Sequence, residues 1–193
     1  MGSTPTERMS GQQRREQLLE LAAEEFARAG LHGTSTDTLA RRAGITQTYV
    51  FRLFGSKKAL FLQVVERAFS RLIDGMDQAR QQRTGRDAVA AMGQFYDSAL
   101  ADRTALLVQL QAFAACGDPE VREAVREHMS RMWAAAERSG LPPVAVKTFI
   151  AYGMLLNTSA ALESSEVDED WALGIRTRIH AGLFEHITEE NNQ

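Results

Sequence analysis

The sequence predicts an all-α protein of about nine helices. The 193-residue chain is rich in residues that favour helices, such as Ala, Leu, Arg, Glu and Gln, and it contains only four prolines. Apolar residues recur at three- and four-residue steps, which is the period of an amphipathic helix. No alternating apolar run bounded by Asn-Gly or Asp-Gly turns occurs, so we expect essentially no sheet.

Three short helical segments come first. The first helix spans residues 12–29 and has a clear apolar face. The second is capped by Ser35 or its neighbour Thr34 and stops before Gly44. The third is capped by Thr46 and closes at the following Phe-Gly-Ser.

Longer helices are predicted in the rest of the chain. Ser56 caps a long fourth helix, and several apolar segments follow, separated by glycines and by an Ala-Asp pair. Asp118 begins another helix, with a proline at its first position. A helix over about 142–162 and a last helix over 171–187 complete the prediction.

The chain is expected to consist of three parts: a flexible leader over 1–11, a small helical domain over 12–56 and a second helical domain over 57–190. The lone Cys116 excludes an internal disulfide framework. No apolar run of about 18 residues and no signal-peptide core occurs, so a cytoplasmic location is expected.

Basic charge is concentrated in one window of an acidic chain. The net charge is −3, yet between Arg28 and Lys58 six basic residues face the single Asp37. A basic patch on an acidic protein suits a surface that binds a polyanion.

The same window has the pattern of a helix-turn-helix. With Val50 at the centre of the buried face of the third helix, Leu53 and Phe54 fall beside it. Ala40 is small where two helices must approach, and Gly44 permits a sharp turn between them. The remaining side chains of the third helix point outward or flank the buried face.

Outward-facing polar side chains at these positions predict base reading in the major groove. Gln pairs with adenine and Arg with guanine, while a Lys at a helix start suits phosphate. The residues predicted to bind DNA on this basis are Ser35, Thr36, Gln47, Thr48, Tyr49, Arg52 and Lys57. A solvated helical hairpin without a DNA target is the alternative interpretation of the pattern.

The stretch TSTDTLARRAGITQTYVFRLFGSKKALF resembles the DNA-binding segment of the tetracycline-repressor (TetR) family of bacterial regulators. The resemblance covers roughly residues 12–65, and beyond them only the length and the all-helical layout are similar. The matching positions are Thr34, Leu39-Ala40, Ala43-Gly44-Ile45, Thr46, Val50 to Phe54 and Ser56 to Leu60.

The resemblance implies a homodimer that binds one DNA half-site per helix-turn-helix, and a C-terminal domain that binds a small effector. It adds Thr34, Thr46 and Phe51 to the DNA-binding residues. Two positions depart from the family pattern, because Phe51 and Leu53 lack the polar groups usual there. Tyr49 and Arg52 are the nearby candidates to replace those phosphate contacts.

Aromatic and sulfur-containing side chains with a few polar tips predict an effector pocket in the second domain. The residues singled out are Met92, Phe95, Tyr96, Gln109, Phe113, Trp133, Phe149 and Tyr152, and Leu106 and Asn157 have the same character. Ordinary core packing is the alternative for any one of them. The effector is expected to be a small and largely apolar molecule.

The last two helices are expected to pair with their copies in a four-helix bundle. Small residues that allow close approach and apolar residues that fill the contact predict this interface. They are Gly153, Ser159, Ala160, Trp171, Ile175, Leu183, Phe184 and Ile187. A role in the core of a single chain is the alternative.

The function predicted for the chain is DNA-binding transcriptional regulation, with a repressor released from its operator by the effector. The expected mechanism is a tilt of the fourth helix near residues 72–76. A helical protein-interaction module, or a regulator without an effector response, is the alternative. The four histidines and Cys116 show no metal-ligand spacing, and no catalytic motif occurs, so neither enzyme activity nor a cofactor is expected.

Overall fold

The computed structural model describes residues 10–180 and Leu183. Within these residues it contains nine α-helices, one 3₁₀ turn and no strand, which confirms the all-α prediction. The helices are α1 (Gly11–Gly33), α2 (Thr36–Arg42), α3 (Gln47–Phe54), α4 (Lys57–Arg80), α5 (Gly85–Ala99), α6 (Arg103–Ala114), α7 (Pro119–Glu137), α8 (Pro143–Ala161) and α9 (Asp170–Arg176). The predicted leader lies almost wholly outside the described residues.

The helix starts follow the capping signals of the sequence. Ser10 and Gln13 form a reciprocal capping box at the start of α1. The hydroxyls of Thr46 and Ser56 accept hydrogen bonds from the third helical N–H of α3 and α4. Gly30 has a φ of 65°, so α1 is kinked at the residue where the sequence predicted its end.

The first three helices and the start of α4 share one apolar core. Phe26 of α1 and Phe61 of α4 are fully buried and meet edge to face, with ring centroids 5.0 Å apart. Val50 and Phe54 of α3 are buried, whereas Leu53 is only half-buried. This packing confirms the predicted N-terminal helix-turn-helix and fixes which face of α3 is turned outward.

The long helix α4 joins the two halves of the chain. Its 24 residues extend about 36 Å. It contacts α1 and α3 near its start, and α5, α6 and α7 farther along. Since α1 also packs along α6, the two halves share a contact besides α4.

The last helix is shorter than predicted. Helix α9 ends at Arg176, and Thr177 is already extended, with a ψ of 122°. The next residues cross the body of the protein instead of continuing the helix, because Arg178 pairs with Asp97 of α5 and the Ile179 N–H donates to the Tyr152 hydroxyl. The predicted helix over 171–187 is therefore wrong over residues 177–180, and most of its remainder lies outside the described residues.

None of the described helices has the length and apolar content needed to cross a membrane.

Candidate nucleic-acid interface and ligand cavity

Helices α2 and α3 hold a set of polar side chains on one exposed side. Ser35 caps α2, and Gly44, with a φ of 67°, makes the turn that a residue with a Cβ would strain. Gln47, Thr48 and Arg52 are exposed on α3. The structure therefore brings together the outward residues that the sequence predicted.

Gln47 is fixed by a contact between the two helices. Its Nε2 donates to the Thr36 Oγ1 at 2.7 Å, and Thr36 is itself buried. A side-chain amide held in one orientation loses less entropy on binding than a free one. The Gln47 amide retains an acceptor oxygen and a second N–H for a further partner.

Arg52 is held against Tyr49. Its guanidinium lies 4.5 Å from the centroid of the Tyr49 ring, within the range of a cation–π contact. Phe51 is the exposed aromatic residue beside them, with 38% of its surface accessible. This part of α3 thus presents one charged and one apolar group in fixed positions.

Thr34 and Lys57 lie behind this surface. The Thr34 hydroxyl donates within α1, with Gly30 O at 2.8 Å, and the residue is buried. The Lys57 ammonium donates to His32 O at 3.2 Å and Thr34 O at 3.0 Å. Both residues brace the loop between α1 and α2 against the start of α4, and their predicted contacts with DNA stay predictions.

A buried carboxylate locks α2 onto α1. Glu25 is 6% exposed, and its two oxygens accept from Arg28 at 2.8 Å and from Arg42 of α2 at 2.6 Å. Hydrogen bonding by Arg28, together with that by Arg42, holds the pKa of the Glu25 carboxyl below its usual value, against the raising effect of burial. Sequence reasoning missed this cluster, although an acidic residue beside Phe26 on an apolar face was the available signal.

The helix-turn-helix is expected to lose stability in acid through Glu25. Because the folded-state pKa is depressed, the contribution is fully present above the ordinary value of 4.5 and disappears as the pH falls through the folded pKa. Glu25→Gln should lower the free energy of unfolding at pH 7 by about 1–3 kcal/mol and flatten its acid dependence. Urea titrations from pH 7 to pH 3 would measure this.

Glu123→Gln is the matched control, because Glu123 is exposed and paired only along its own helix. It should change stability little. If Glu25→Gln and Glu123→Gln had the same free energy of unfolding at each pH, a structural role for Glu25 would be contradicted.

A cavity of about 370 Å³ lies in the second half of the chain. Helices α4 to α8 and the segment after α9 surround it. Its apolar walls come mainly from Phe69, Met76, Met129, Met132, Ile150 and Ile179, in addition to predicted residues. This volume is within the range of sites that bind small molecules.

Five of the eight predicted pocket residues line this cavity: Tyr96, Gln109, Phe113, Phe149 and Tyr152. The other three lie elsewhere. Met92 is buried in the core, Phe95 packs on Gly75 and lines a smaller neighbouring cavity, and the Trp133 Nε1 donates to Glu137 on the same helix. Their role in binding an effector stays a prediction.

Polar groups in the cavity are few. The Tyr96 hydroxyl donates to Asn157 Oδ1 at 2.6 Å, and burial raises the pKa of that hydroxyl, so it keeps its proton. Gln109 of α6 lines the wall nearby. At one edge, Arg178 is paired with Asp97. Sequence reasoning did not anticipate this ion pair, since the two residues are 81 positions apart.

The predicted dimer residues fall into three groups. Gly153 lines the cavity, Ser159 is buried with its hydroxyl 2.6 Å from that of Ser164, and Ala160 is half-buried. Trp171 and Leu183 are exposed, and Ile175 is half-buried. Phe184 and Ile187 lie outside the described residues. The interface stays a prediction.

Helix α8 carries an exposed apolar stripe that the sequence analysis did not single out. We call this set of exposed residues the α8 stripe. Its members recur at three- and four-residue steps along the outer side of the helix. They are Ala151, Met154, Leu155, Thr158 and the cap residue Leu162. Exposed Trp171 and Leu173 of α9 are further large apolar residues in this C-terminal part of the chain. Contiguous exposed apolar surface of this kind is typical of protein contacts.

Comparison with known proteins gives sequence matches in the helix-turn-helix part of the chain and structural matches across the fold. Residues 18–64 match the model of the family described as bacterial regulatory proteins, tetR family. The HTH-type transcriptional activator FasR of Mycolicibacterium smegmatis is 36% identical over 78 residues, which are 40% of this chain and 36% of that protein. The matched stretch thus spans about a third of the curated relative.

Solved structures with the same fold cover nearly the whole chain. A TetR-family transcriptional regulator of Mesorhizobium loti MAFF303099 superposes with a TM-score of 0.67 at 20% identity, over 93% of this chain and 96% of that one. The regulator FadR of Bacillus subtilis, solved in complex with stearoyl-CoA, superposes with a TM-score of 0.63 at 14% identity, over 89% and 94%. At such identities the likeness concerns the fold alone.

Proposed function

We propose that this chain, which belongs to the tetR family of bacterial regulatory proteins, binds operator DNA as a homodimer and releases it when a small molecule enters the cavity. Proteins of this family are transcription regulators and not enzymes. The observation that carries the proposal is the exposed side of α3, where Gln47 is held by Thr36 and Arg52 by Tyr49. DNA as the partner implies that the protein acts in the cytoplasm.

Recognition of DNA by α3 follows from the chemistry of its exposed groups. The Gln47 amide offers the donor and acceptor that pair with adenine, and the Arg52 guanidinium offers the fork that pairs with guanine. Thr48 and the exposed ring of Phe51 lie between them, and an aromatic ring suits the methyl group of thymine. Residues 12–56 form the DNA-binding domain in this proposal, and residues 57–190 the regulatory domain.

A two-fold dimer supplies the second recognition helix. The α8 stripe is apolar and exposed, and its burial against a second copy would remove that surface from water. The two α3 helices would then read half-sites one turn of DNA apart, about 34 Å, or a multiple of it.

Helix α4 provides the link from the cavity to DNA. Phe69 and Met76 of α4 line the cavity, whereas Lys57 at its start braces the loop before α2. A ligand that displaces the far end of α4 would therefore change the separation of the two α3 helices. To release DNA, the ligand must bind more tightly to the dimer with separated α3 helices than to the dimer whose α3 spacing fits DNA. DNA must then lower the affinity for the ligand by the same factor.

In this proposal the protein is a repressor, and its release by the ligand restores transcription of the genes it covers. The FasR relative is named an activator, so the effect on transcription is separate from the effect on DNA affinity. Expression of a reporter gene placed behind the DNA that the protein binds, measured with and without the protein, distinguishes repression from activation.

Selection from a pool of random duplex DNA tests the proposal. We expect enrichment of a sequence with two related half-sites, bound with an affinity that falls linearly with the logarithm of salt concentration. Fluorescence anisotropy of the enriched duplex measures the affinity and its dependence on salt. No enrichment, together with binding that does not depend on salt, would rule the proposal out.

Substitutions on α3 should change the sequence preference of binding. Arg52→Ala and Gln47→Ala should each cost about 1–3 kcal/mol on the selected duplex and relax the preference at one base pair. Arg126→Ala is the matched control, because it removes the same charge from an exposed site on α7. If the Arg126 and Arg52 variants behave alike, α3 is not the reading helix.

A further inference from the structure

We infer that the cavity takes a neutral molecule with an apolar body and a carbonyl oxygen, and that the side-chain amides of Asn157 and Gln109 donate to that oxygen. The inference rests on the proposed function, because it names the class of effector for the same cavity.

The walls select an apolar body. Three phenylalanine rings, those of Phe69, Phe113 and Phe149, line the cavity together with four methionines and two isoleucines. Burial of a ligand surface against such walls is favourable in proportion to the apolar area removed from water. Methionine side chains adapt to ligands of differing outline.

Asn157 carries hydrogen-bond donors without a partner. The residue is 7% exposed, and its Oδ1 is already taken by the Tyr96 hydroxyl at 2.6 Å. Among the described residues nothing accepts from its Nδ2, which carries two N–H groups. Because Asn157 lines the cavity and its Nδ2 has no acceptor among the described residues there, a ligand oxygen can accept from it.

Gln109 adds a second amide to the same wall. Gln109 is 6% exposed and lines both this cavity and the smaller neighbouring one. No group of the described residues forms a hydrogen bond with its side-chain amide. Asn157 lines the same two cavities. A carbonyl oxygen accepts two hydrogen bonds, so in this inference the two primary amides, one from α6 and one from α8, both donate to it.

The charges at the cavity favour a neutral ligand. Among the lining residues that the structure describes, the one arginine, Arg178, is paired with Asp97, so this pair adds no net charge, and the one histidine, His180, already takes part in another interaction. The second oxygen of Asp97, Oδ1, is buried without a partner and is closed to a ligand. A carboxylate transferred from water to such walls would lose its hydration without a countercharge beside the amides, whereas a ketone or ester loses much less.

Equilibrium dialysis with three ten-carbon probes tests the inference directly. The probes are 2-decanone, decane and decanoate, quantified by gas chromatography. At pH 7 the intact protein is expected to bind 2-decanone at least about tenfold more tightly than decanoate, and more tightly than decane after correction for their partition into hydrocarbon. A preference for decanoate, or no binding of 2-decanone, would overturn the inference.

Two variants assign the contact to the amides. Asn157→Asp keeps an acceptor for Tyr96 but removes the Nδ2 donors, and Gln109→Met keeps the length of the side chain but removes its amide. Each variant should bind 2-decanone about tenfold more weakly and leave the affinity for decane unchanged. Gln78→Met is the control, because Gln78 is exposed on α4 and does not line the cavity, so this variant should leave the binding of 2-decanone unchanged.

Unchanged 2-decanone affinity in both variants would also overturn the inference. Thermal unfolding of each variant shows whether it folds, and Gln109→Met suffices if Asn157→Asp does not. DNA is absent from these measurements. A protein that binds its selected duplex but shows no ketone preference therefore loses this inference and keeps the proposed function.

Discussion

Replacing Leu155 and Leu162 by glutamate is expected to convert the protein from a dimer to a monomer. Both side chains belong to the α8 stripe and are about half exposed within one chain, at 43% and 56%, so the substitutions need not disturb the fold of the monomer. In a dimer formed through the α8 stripe, four carboxylates would be buried in the interface without cations to pair them. Sedimentation velocity at micromolar concentration measures the change directly.

The same variant should lose most of its DNA affinity although α3 is untouched. A monomer engages one half-site, and loss of the linked second half-site reduces affinity by about 10²- to 10⁴-fold. Gln78→Glu with Gln94→Glu is the control, since it adds the same negative charge at exposed positions of α4 and α5. A glutamate variant that stays dimeric and binds DNA normally would place the interface elsewhere.

Gly75→Ala is expected to destabilise the protein at the far end of α4. A Cβ at Gly75 would lie 1.9 Å from the nearest ring atom of Phe95, so α5 or the ring must move. Overpacking of this kind costs about 1–3 kcal/mol, against a gain of up to about 1 kcal/mol from the better helix former. Urea unfolding should therefore show a net loss.

Gly93→Ala is the matched control for Gly75→Ala. Gly93 lies in the middle of α5, where a Cβ would meet no atom within 4 Å. This variant should gain stability from helix propensity alone. If the two variants were equally stable, the Phe95 ring would move at no cost, and the close contact between α4 and α5 could not transmit a displacement.

The DNA-binding half of the fold could be predicted from local sequence signals. Caps at Ser35, Thr46 and Ser56 and the turn at Gly44 are chemical signals within a few residues of the feature they specify. The outward face of α3 followed from the position of Val50. The contacts that fix the outward side chains, such as Gln47 with Thr36, depend on the angle between two helices, which periodicity does not give.

The cavity was predictable only in part. Tyr96, Gln109 and Phe113, which residue type indicated, line the cavity, but the same reasoning included Trp133, which bonds to its own helix. Phe69 was missed because a helix stripe looks the same whether it faces core or cavity, whereas Met76 belongs to the part of α4 where a ligand was expected. The early end of α9 depends on partners far away in sequence, which helix propensity cannot represent.

The proposed function depends on coupling between the cavity and DNA. Its most direct test is the affinity for the selected duplex, measured by anisotropy with the cavity empty and with it saturated by the carbonyl compound that binds best. The account predicts DNA binding at least about tenfold weaker in the saturated protein, a coupling of about 1.4 kcal/mol, and an equal weakening of the ligand by DNA. Identical DNA affinities in the empty and the saturated protein would contradict it.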